Sequence, residues 1–191
     1  MEAITRIRST GSPATSAVEL RDGSRVRLHP MHAEDAERLL RFHHTLSPET
    51  THLRFFTVHP ELSPTELHRF THVDHRDREA IVATAEDEIV GVARFDRLDD
   101  PADAEVGFVV ADSWQGRGLG TVLFEALAQR AREVGIARFV ADTLAYNRRM
   151  QAVFHHAGLP MTSGFRDGVV HAVVELTREP GRRGGSSDHD H

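Results

Sequence analysis

A chain of 191 residues, 39% of them hydrophobic, suits one domain with a sizeable core and is not the composition of a disordered protein. The formal net charge of -6, with histidine counted neutral, argues against general nucleic-acid binding, which needs a basic footprint, and is compatible with an amine-bearing partner. There is no cysteine, which excludes disulfides, thiolate metal sites and cysteine nucleophiles; no apolar run is long enough for a signal peptide or a membrane span, so a cytoplasmic domain with no membrane partner is expected.

The first twenty residues mix Ser, Thr, Gly and charge without a period, and residues 1–20 read as a flexible arm. Arg25 to His29 reads as a short strand. Met31 to Leu46 reads as a helix with Ala36, Leu39, Leu40 and Phe42 as its apolar positions and acidic residues in its first turn. Ser47-Pro48-Glu49 opens a short helix reaching Phe55 and Phe56. Ser63-Pro64-Thr65-Glu66 is an N-cap with proline at the first helical position and glutamate at the third, and that helix runs to about Phe70. Three strands follow in close succession: Ala80 to Thr84, Ile89 to Phe95 and Ala104 to Ala111. A helix from Gly118 to Val134 buries Leu119, Val122, Leu123, Leu127 and Ala131. Arg138 to Asp142 is a strand, and Asn147 to His156 a helix ended by Gly158. Strands near Pro160 to Phe165 and Val169 to Leu176 flank the Arg166-Asp167-Gly168 turn. Arg178 to His191 cannot bury a core and reads as a disordered tail, which leaves residues 21–177 as the folded domain. No internal repeat is present. The sum is a mixed sheet flanked by helices, with antiparallel hairpins and one strand–helix–strand crossover from Ala104 to Asp142.

The chemistry is concentrated where that crossover turns. The strand ending at Ala111 passes through Asp112-Ser113-Trp114 into Gln115-Gly116-Arg117-Gly118-Leu119-Gly120 and directly into a helix. Glycines between a strand and a helix start leave backbone N–H groups bare, and with the positive end of the helix dipole they form an anion site. Gly116, Gly118 and Gly120 let the chain curl around a phosphate, and Arg117 can add a charge-assisted contact. The loop is not a Walker loop, because it has no lysine. Its G-x-G-x-G spacing also departs from the dinucleotide fingerprint. On the loop alone, a glycine-cushioned helix start with no ligand is the competing reading.

The wider stretch resembles the Q/R-x-x-G-x-G/A signature of the GNAT superfamily of N-acetyltransferases, and the resemblance runs from about Arg25 to Leu176. It implies an α/β (α+β) fold: a mixed, mostly antiparallel sheet flanked by helices, with a splayed central strand pair holding acetyl-CoA. Gln115 to Gly120 and Thr121 would then bind the pyrophosphate, and the backbone of Phe108, Val109 and Val110 would meet the pantetheine arm. Asn147 matches an asparagine that the family places near the cofactor. Within the superfamily the chain is most similar to the catalytic domain of bacterial Pat-type protein lysine acetyltransferases, in Leu28 to Ala36, Leu46 to Phe56, Val73 to Glu79, Ala104 to Gly120 and Asn147 to Gly158. Those proteins usually carry a regulatory or ligase-like domain as well, for which 191 residues leave no room.

The activity so implied is acetyl transfer to a primary amine, either a protein lysine or a small molecule; a non-catalytic CoA-binding module is the third possibility. A lysine ammonium must lose a proton before it attacks a thioester. Glu105 occupies the position at which similar enzymes carry the general base, and burial would strengthen it as a base. The competing view makes Glu105 a surface carboxylate paired with an arginine, and Glu79 and Asp103 are the next candidates. A backbone N–H of Phe108 to Val110 would hold the oxyanion. Many relatives have a tyrosine as acid toward the leaving thiolate where this chain has Phe154, most simply a packing residue. Tyr146 and His155 lie nearby in sequence. A protein acceptor would suit an acidic cleft rim, for which Asp74, Asp77, Asp96 and Asp99 are available.

Fourteen histidines are present, seven of them between His43 and His75. His68 and His72 have metal-ligand spacing, but no third ligand follows, so no metal is expected. The Asp188-His189-Asp190-His191 end could bind metal adventitiously.

Overall fold

The computed structural model describes residues 15–57 and 59–176. The chain opens on a hairpin of β1 (Ser16–Glu19) and β2 (Arg25–Pro30), with Val18 opposite Val26. Val18, Leu20, Val26 and Leu28 are all buried, so the strand period of two supplies one apolar face. β1 lies inside the stretch expected to be an arm. Its four residues are too few to show a period by themselves, and it is held by pairing with β2. Residues 1–14 and 177–191, which include the rest of the arm and the tail, lie outside the described residues.

The helix expected from Met31 starts later. Asp35 accepts a hydrogen bond from the His32 N–H at 2.9 Å within a 3-10 turn, Ala33–Asp35, and α1 (Ala36–His44) follows. α2 (Pro48–Phe55) is capped by Ser47, whose hydroxyl accepts from the Thr50 N–H. It ends at Phe56 in the left-handed conformation, φ 58°. α3 (Pro64–Thr71) has the expected reciprocal cap between Ser63 and Glu66. Next come β3 (Arg78–Ala85), β4 (Glu88–Arg97), β5 (Asp103–Val110), α4 (Leu119–Glu133), β6 (Arg138–Leu144), α5 (Arg148–His156), β7 (Met161–Arg166) and β8 (Val169–Glu175). Asp167 and Gly168 both have positive φ, the two-residue turn that joins twisted strands without splaying them.

The eight strands run in the order β1-β2-β3-β4-β5-β6-β8-β7, and only the β5–β6 pair is parallel. Two cores cover the two faces. On one, α4 and α5 bury Leu123, Phe124 and Leu127 with Phe139 and Phe154. On the other, Leu39 and Phe42 of α1 pack with Met31, Val82 and Val92. Phe154 is 2% exposed and sits edge-to-face against Phe124 (5.5 Å) and Phe108 (6.1 Å), the packing role expected of it. No helix among the described residues is long and apolar enough to cross a membrane.

β5 and β6 pair at three positions only: Asp103 with Arg138, Ala104 with Phe139, and Glu105 with Val140. Beyond Glu105 both strands continue without pairing to each other. The central pair is splayed.

Candidate active site

A cleft of about 280 Å³ fills the gap between the separating strands. Along β5 the gap exposes backbone that has no strand partner on that side. Which groups face it follows from strand alternation. The Ala111 N–H donates to the Val90 carbonyl of β4 at 2.9 Å, so Val109 and Gly107, two and four residues back, also turn toward β4. Phe108 and Val110 therefore face the gap. The Val110 carbonyl is taken by the Gln115 side-chain amide at 3.0 Å. Of the three residues expected to offer backbone to a ligand, Phe108 and Val110 can do so, whereas Val109 spends its backbone on the sheet.

The cleft runs up to the glycine loop. Gly116 (φ 77°) and Gly118 (φ 90°) lie in the left-handed region that side chains resist, and Gly118 is the N-cap of α4. No side chain caps that helix, so the first-turn N–H groups of Leu119, Gly120 and Thr121 stay available to an anion. At Gly120 a Cβ would come within 3.1 Å of Val153, which lets α4 start close against α5. Gln115 anchors the loop: it donates to Val110 and to the Thr50 hydroxyl (3.2 Å) and accepts from Arg149. Asp112, below it, accepts from the Ser47 N–H, the Ser47 hydroxyl and the Thr50 hydroxyl. Partial burial of Asp112 opposes its ionisation, but these donors outweigh burial and hold its carboxyl below the usual carboxylate value.

Every residue expected to bind the cofactor lines the cleft except Arg117. Its guanidinium is turned away: it pairs with Asp22 at 3.2 Å, donates to the Ser113 carbonyl at 2.8 Å and lies over the Trp114 ring at 4.8 Å. The cations at this end of the cleft are instead Arg21, whose side chain would lie 3.6–3.7 Å from a Cβ placed on Gly118, and Arg149. Asn147 is buried. Its side-chain oxygen caps α5 by accepting from the Met150 N–H (3.2 Å), and its NH₂ donates to no described residue.

At the other end, Glu105 stands where β5 and β6 part. It is exposed on the cleft floor, so the burial expected to strengthen it is absent. It makes no hydrogen bond or ion pair among the described residues, unlike the arginine-paired surface carboxylate of the competing view. Glu79 is 1% exposed and is held by His75 (2.8 Å) and Arg130 (3.3 Å), away from the cleft. Asp103 is engaged by Arg138 at the closed foot of the splayed pair. Neither lines the cleft.

A splayed parallel pair, an uncapped glycine-flanked helix start and a free carboxylate in one cleft agree with what comparison with known proteins finds. The profile of the acetyltransferase (GNAT) domain matches residues 25–160. The chain belongs to the GNAT acetyltransferase family. It is 33% identical over 151 residues to an acetyltransferase of Pseudomonas aeruginosa, covering 73% of this chain and 81% of that protein. It is 36% identical over 146 residues to the acetyltransferase Pat of Mycolicibacterium smegmatis, covering 74% of this chain but 43% of that one, so it spans less than half of the Pat length. The crystal structure of the GNAT domain of S. lividans PAT superposes with a TM-score of 0.81 at 39% identity, over 87% of this chain and 99% of that one.

Two features of this GNAT cleft were not expected from sequence. One is Arg21, in the turn between β1 and β2, just past the stretch read as an arm. The other is Arg54 of α2, whose guanidinium lies over Gly107: a Cβ there would come within 2.7 Å of Arg54 Cζ. Only glycine leaves that space, but nothing near either residue in sequence announces the contact. Neither Tyr146 nor His155 lines the cleft. Tyr146 instead shares a hydrogen bond with His52 at 3.0 Å. The acidic groups assigned to the rim are largely committed elsewhere. Asp74 accepts from the N–H groups of residues 76, 77 and 78, Asp77 pairs with Arg97 at 2.7 Å, and Asp96 with Arg94 at 2.7 Å. The rings of His68 and His72 stack at 3.8 Å, and no group of three or more His, Asp or Glu among the described residues is arranged to hold a metal.

Proposed function

We propose that this GNAT protein is an acetyl-CoA-dependent N-acetyltransferase that acetylates a primary amine, the side chain of a protein lysine, by direct attack in a ternary complex with Glu105 as general base. The observation that carries this reading is Glu105 itself: a carboxylate without a partner among the described residues, standing where β5 and β6 part, at the foot of a cleft whose far end is an anion-binding helix start. The first-turn amides of α4, with Arg21 and Arg149, fit a pyrophosphate. The backbone groups of Phe108 and Val110 and the NH₂ of Asn147 fit a chain of amides running down the gap. Acetyl-CoA supplies an activated acyl group as a thioester. Glu105 accepts the proton of the incoming ammonium, directly or through a water, so that the neutral amine can attack. An N–H on the gap side of β5 stabilises the negative charge that develops on the acyl oxygen. Phe154 is sealed in the core, so the leaving thiolate departs without a tyrosine at that position.

The likeness to the PAT domain supports a protein acceptor. A small-molecule amine is the second reading, favoured by the commitment of Asp74, Asp77 and Asp96 to internal contacts. The test is calorimetric titration of acetyl-CoA with CoA-thiol release followed over lysine-bearing proteins and small amines. Glu105→Gln should leave acetyl-CoA affinity unchanged and lower kcat by about 10²- to 10⁴-fold. Full activity in that variant would refute the assignment of the base, and failure to bind acetyl-CoA would refute the enzyme.

A further inference from the structure

Arg54 meets the Phe55 ring at 5.2 Å but is a charge without an anionic counterpart among the described residues. It lines the main cleft and also a smaller apolar cavity beneath α1 and α3 that shares Gly107 and Val109 with it. It makes no hydrogen bond or ion pair among the described residues. The other charges on this face of the sheet are already matched. Arg94 and Arg69 both reach Asp96, at 2.7 and 3.5 Å, and Arg94 also lies over the Phe70 ring at 4.6 Å. Register fixes which side chains share the face: Asp96 is opposite Glu105 and Arg94 opposite Gly107, so Glu105, Asp96, Arg94 and the Arg54 guanidinium over Gly107 are together. Apart from Arg78, which is opposite Asp96 but pairs with Asp74 at 3.7 Å, three cations meet two anions there, and the two groups left single are Arg54 and Glu105. They line one cleft yet do not touch each other. Burial, with repulsion from Arg94, pushes Arg54 down to about 10, while Glu105 and Asp96 oppose that fall, so it remains a cation at neutral pH. A partly buried guanidinium without an anion in contact is costly, and a ligand carboxylate would relieve that cost through a two-pronged contact.

We propose that the acceptor carries an anionic group, a carboxylate, beside its amine, and that Arg54 binds this group while Glu105 receives the ammonium. The inference rests on the acetyltransferase reading and specifies its substrate class: a zwitterionic acceptor, not a plain amine. Two sources present this chemistry. One is an acidic side chain next to a lysine in a protein. The other is the carboxylate of a small amino acid. Gly107 belongs to the same device, since its missing side chain is what lets the guanidinium lie against β5.

The experiment compares matched acceptors. One arm uses lysine peptides that differ only by Glu or Gln beside the lysine, and the other uses amino acids against their carboxamides. CoA-thiol release is measured for the native protein, Arg54→Gln and Gly107→Ala. The native enzyme should prefer the carboxylate member by about tenfold to a hundredfold in kcat/KM, the range of a hydrogen bond to a charged group. In Arg54→Gln the ratio should fall to near one. Gly107→Ala, which displaces the guanidinium, should shrink it in the same direction. Acetyl-CoA affinity and Tm, measured alongside, report that the variants are folded. Preference in the peptide arm alone identifies a protein acceptor, and preference in the amino-acid arm alone a small one. Equal use of both members, or a preference that survives Arg54→Gln, overturns the proposal. Absence of thiol release with every amine would instead count against the acetyltransferase reading. Titrating the same acceptors into the protein–CoA complex then still decides the role of Arg54, because a carboxylate member that binds no tighter than its neutral match overturns it without turnover.

Discussion

Arg117 and Arg21 exchange the roles that their sequence context suggests. Arg117 sits inside the glycine loop, but its guanidinium is consumed by Asp22, the Ser113 carbonyl and the Trp114 ring, so it stiffens the loop. Arg21 has no partner among the described residues and borders the helix start. Arg21→Ala should therefore weaken acetyl-CoA binding more than Arg117→Ala does, by about tenfold for one charge-assisted phosphate contact, with the difference read by calorimetry. Arg117→Ala should instead lower Tm. Asp112 gives a pH-dependent expectation. Its native value lies below the ordinary 3.8, so its contribution to stability is complete above that value and is lost as pH falls through the lowered native one. Tm measured against pH should drop more steeply below about pH 4 in the native protein than in Asp112→Asn, which no longer exchanges that proton. The loop glycines were legible because they belong to a short local pattern, whereas Glu105 was singled out by the family resemblance. Arg54 and Arg21 were not, because their meaning lies in contacts with Gly107 and Gly118, which are distant in sequence.

At the scale of elements, the turn from β5 into α4 concentrates the constraints. Gly118 is both the left-handed cap of α4 and part of the proposed anion site. Gly118→Ala should cost about 1–2 kcal/mol, the penalty for a left-handed residue with a Cβ, and should reduce acetyl-CoA affinity as the first-turn amides tilt. Denaturant unfolding and calorimetry measure the two effects separately. The capping box at Ser63 and the turn at Asp167-Gly168 appear where the sequence puts them, because caps and tight turns are decided by a few adjacent residues. β1 shows the opposite case. Ser-Ala-Val-Glu has no strong strand signal alone, and its position comes from pairing with β2 and from burial of Val18 and Leu20. α1 begins late for a local reason that the apolar period concealed: Asp35 closes a 3-10 turn before the helix.

The whole molecule is two blocks of sheet, β1 to β5 and β6-β8-β7, joined along one incomplete edge. α4 and α5 hold the blocks together from one face through Phe124, Phe139 and Phe154. Phe154→Ala should cost about 3–5 kcal/mol, because the cavity it leaves opens at that joint, and the loss should appear in chemical denaturation. The three pairs between β5 and β6 have a further consequence. A ligand whose amides run down the gap would satisfy the gap-side backbone of β5 much as a neighbouring strand does, so the cosubstrate serves as a ninth strand of the sheet as well as a reactant. The free protein is then an unfinished fold. Amide exchange at Phe108, Val110 and the upper half of β6 should slow when acetyl-CoA binds, and ligand at a hundredfold over its Kd should add about 2.7 kcal/mol of stability. Resistance to unfolding would then rise and fall with the acetyl-CoA concentration, so that the reactant also acts as a stabiliser of the fold that uses it.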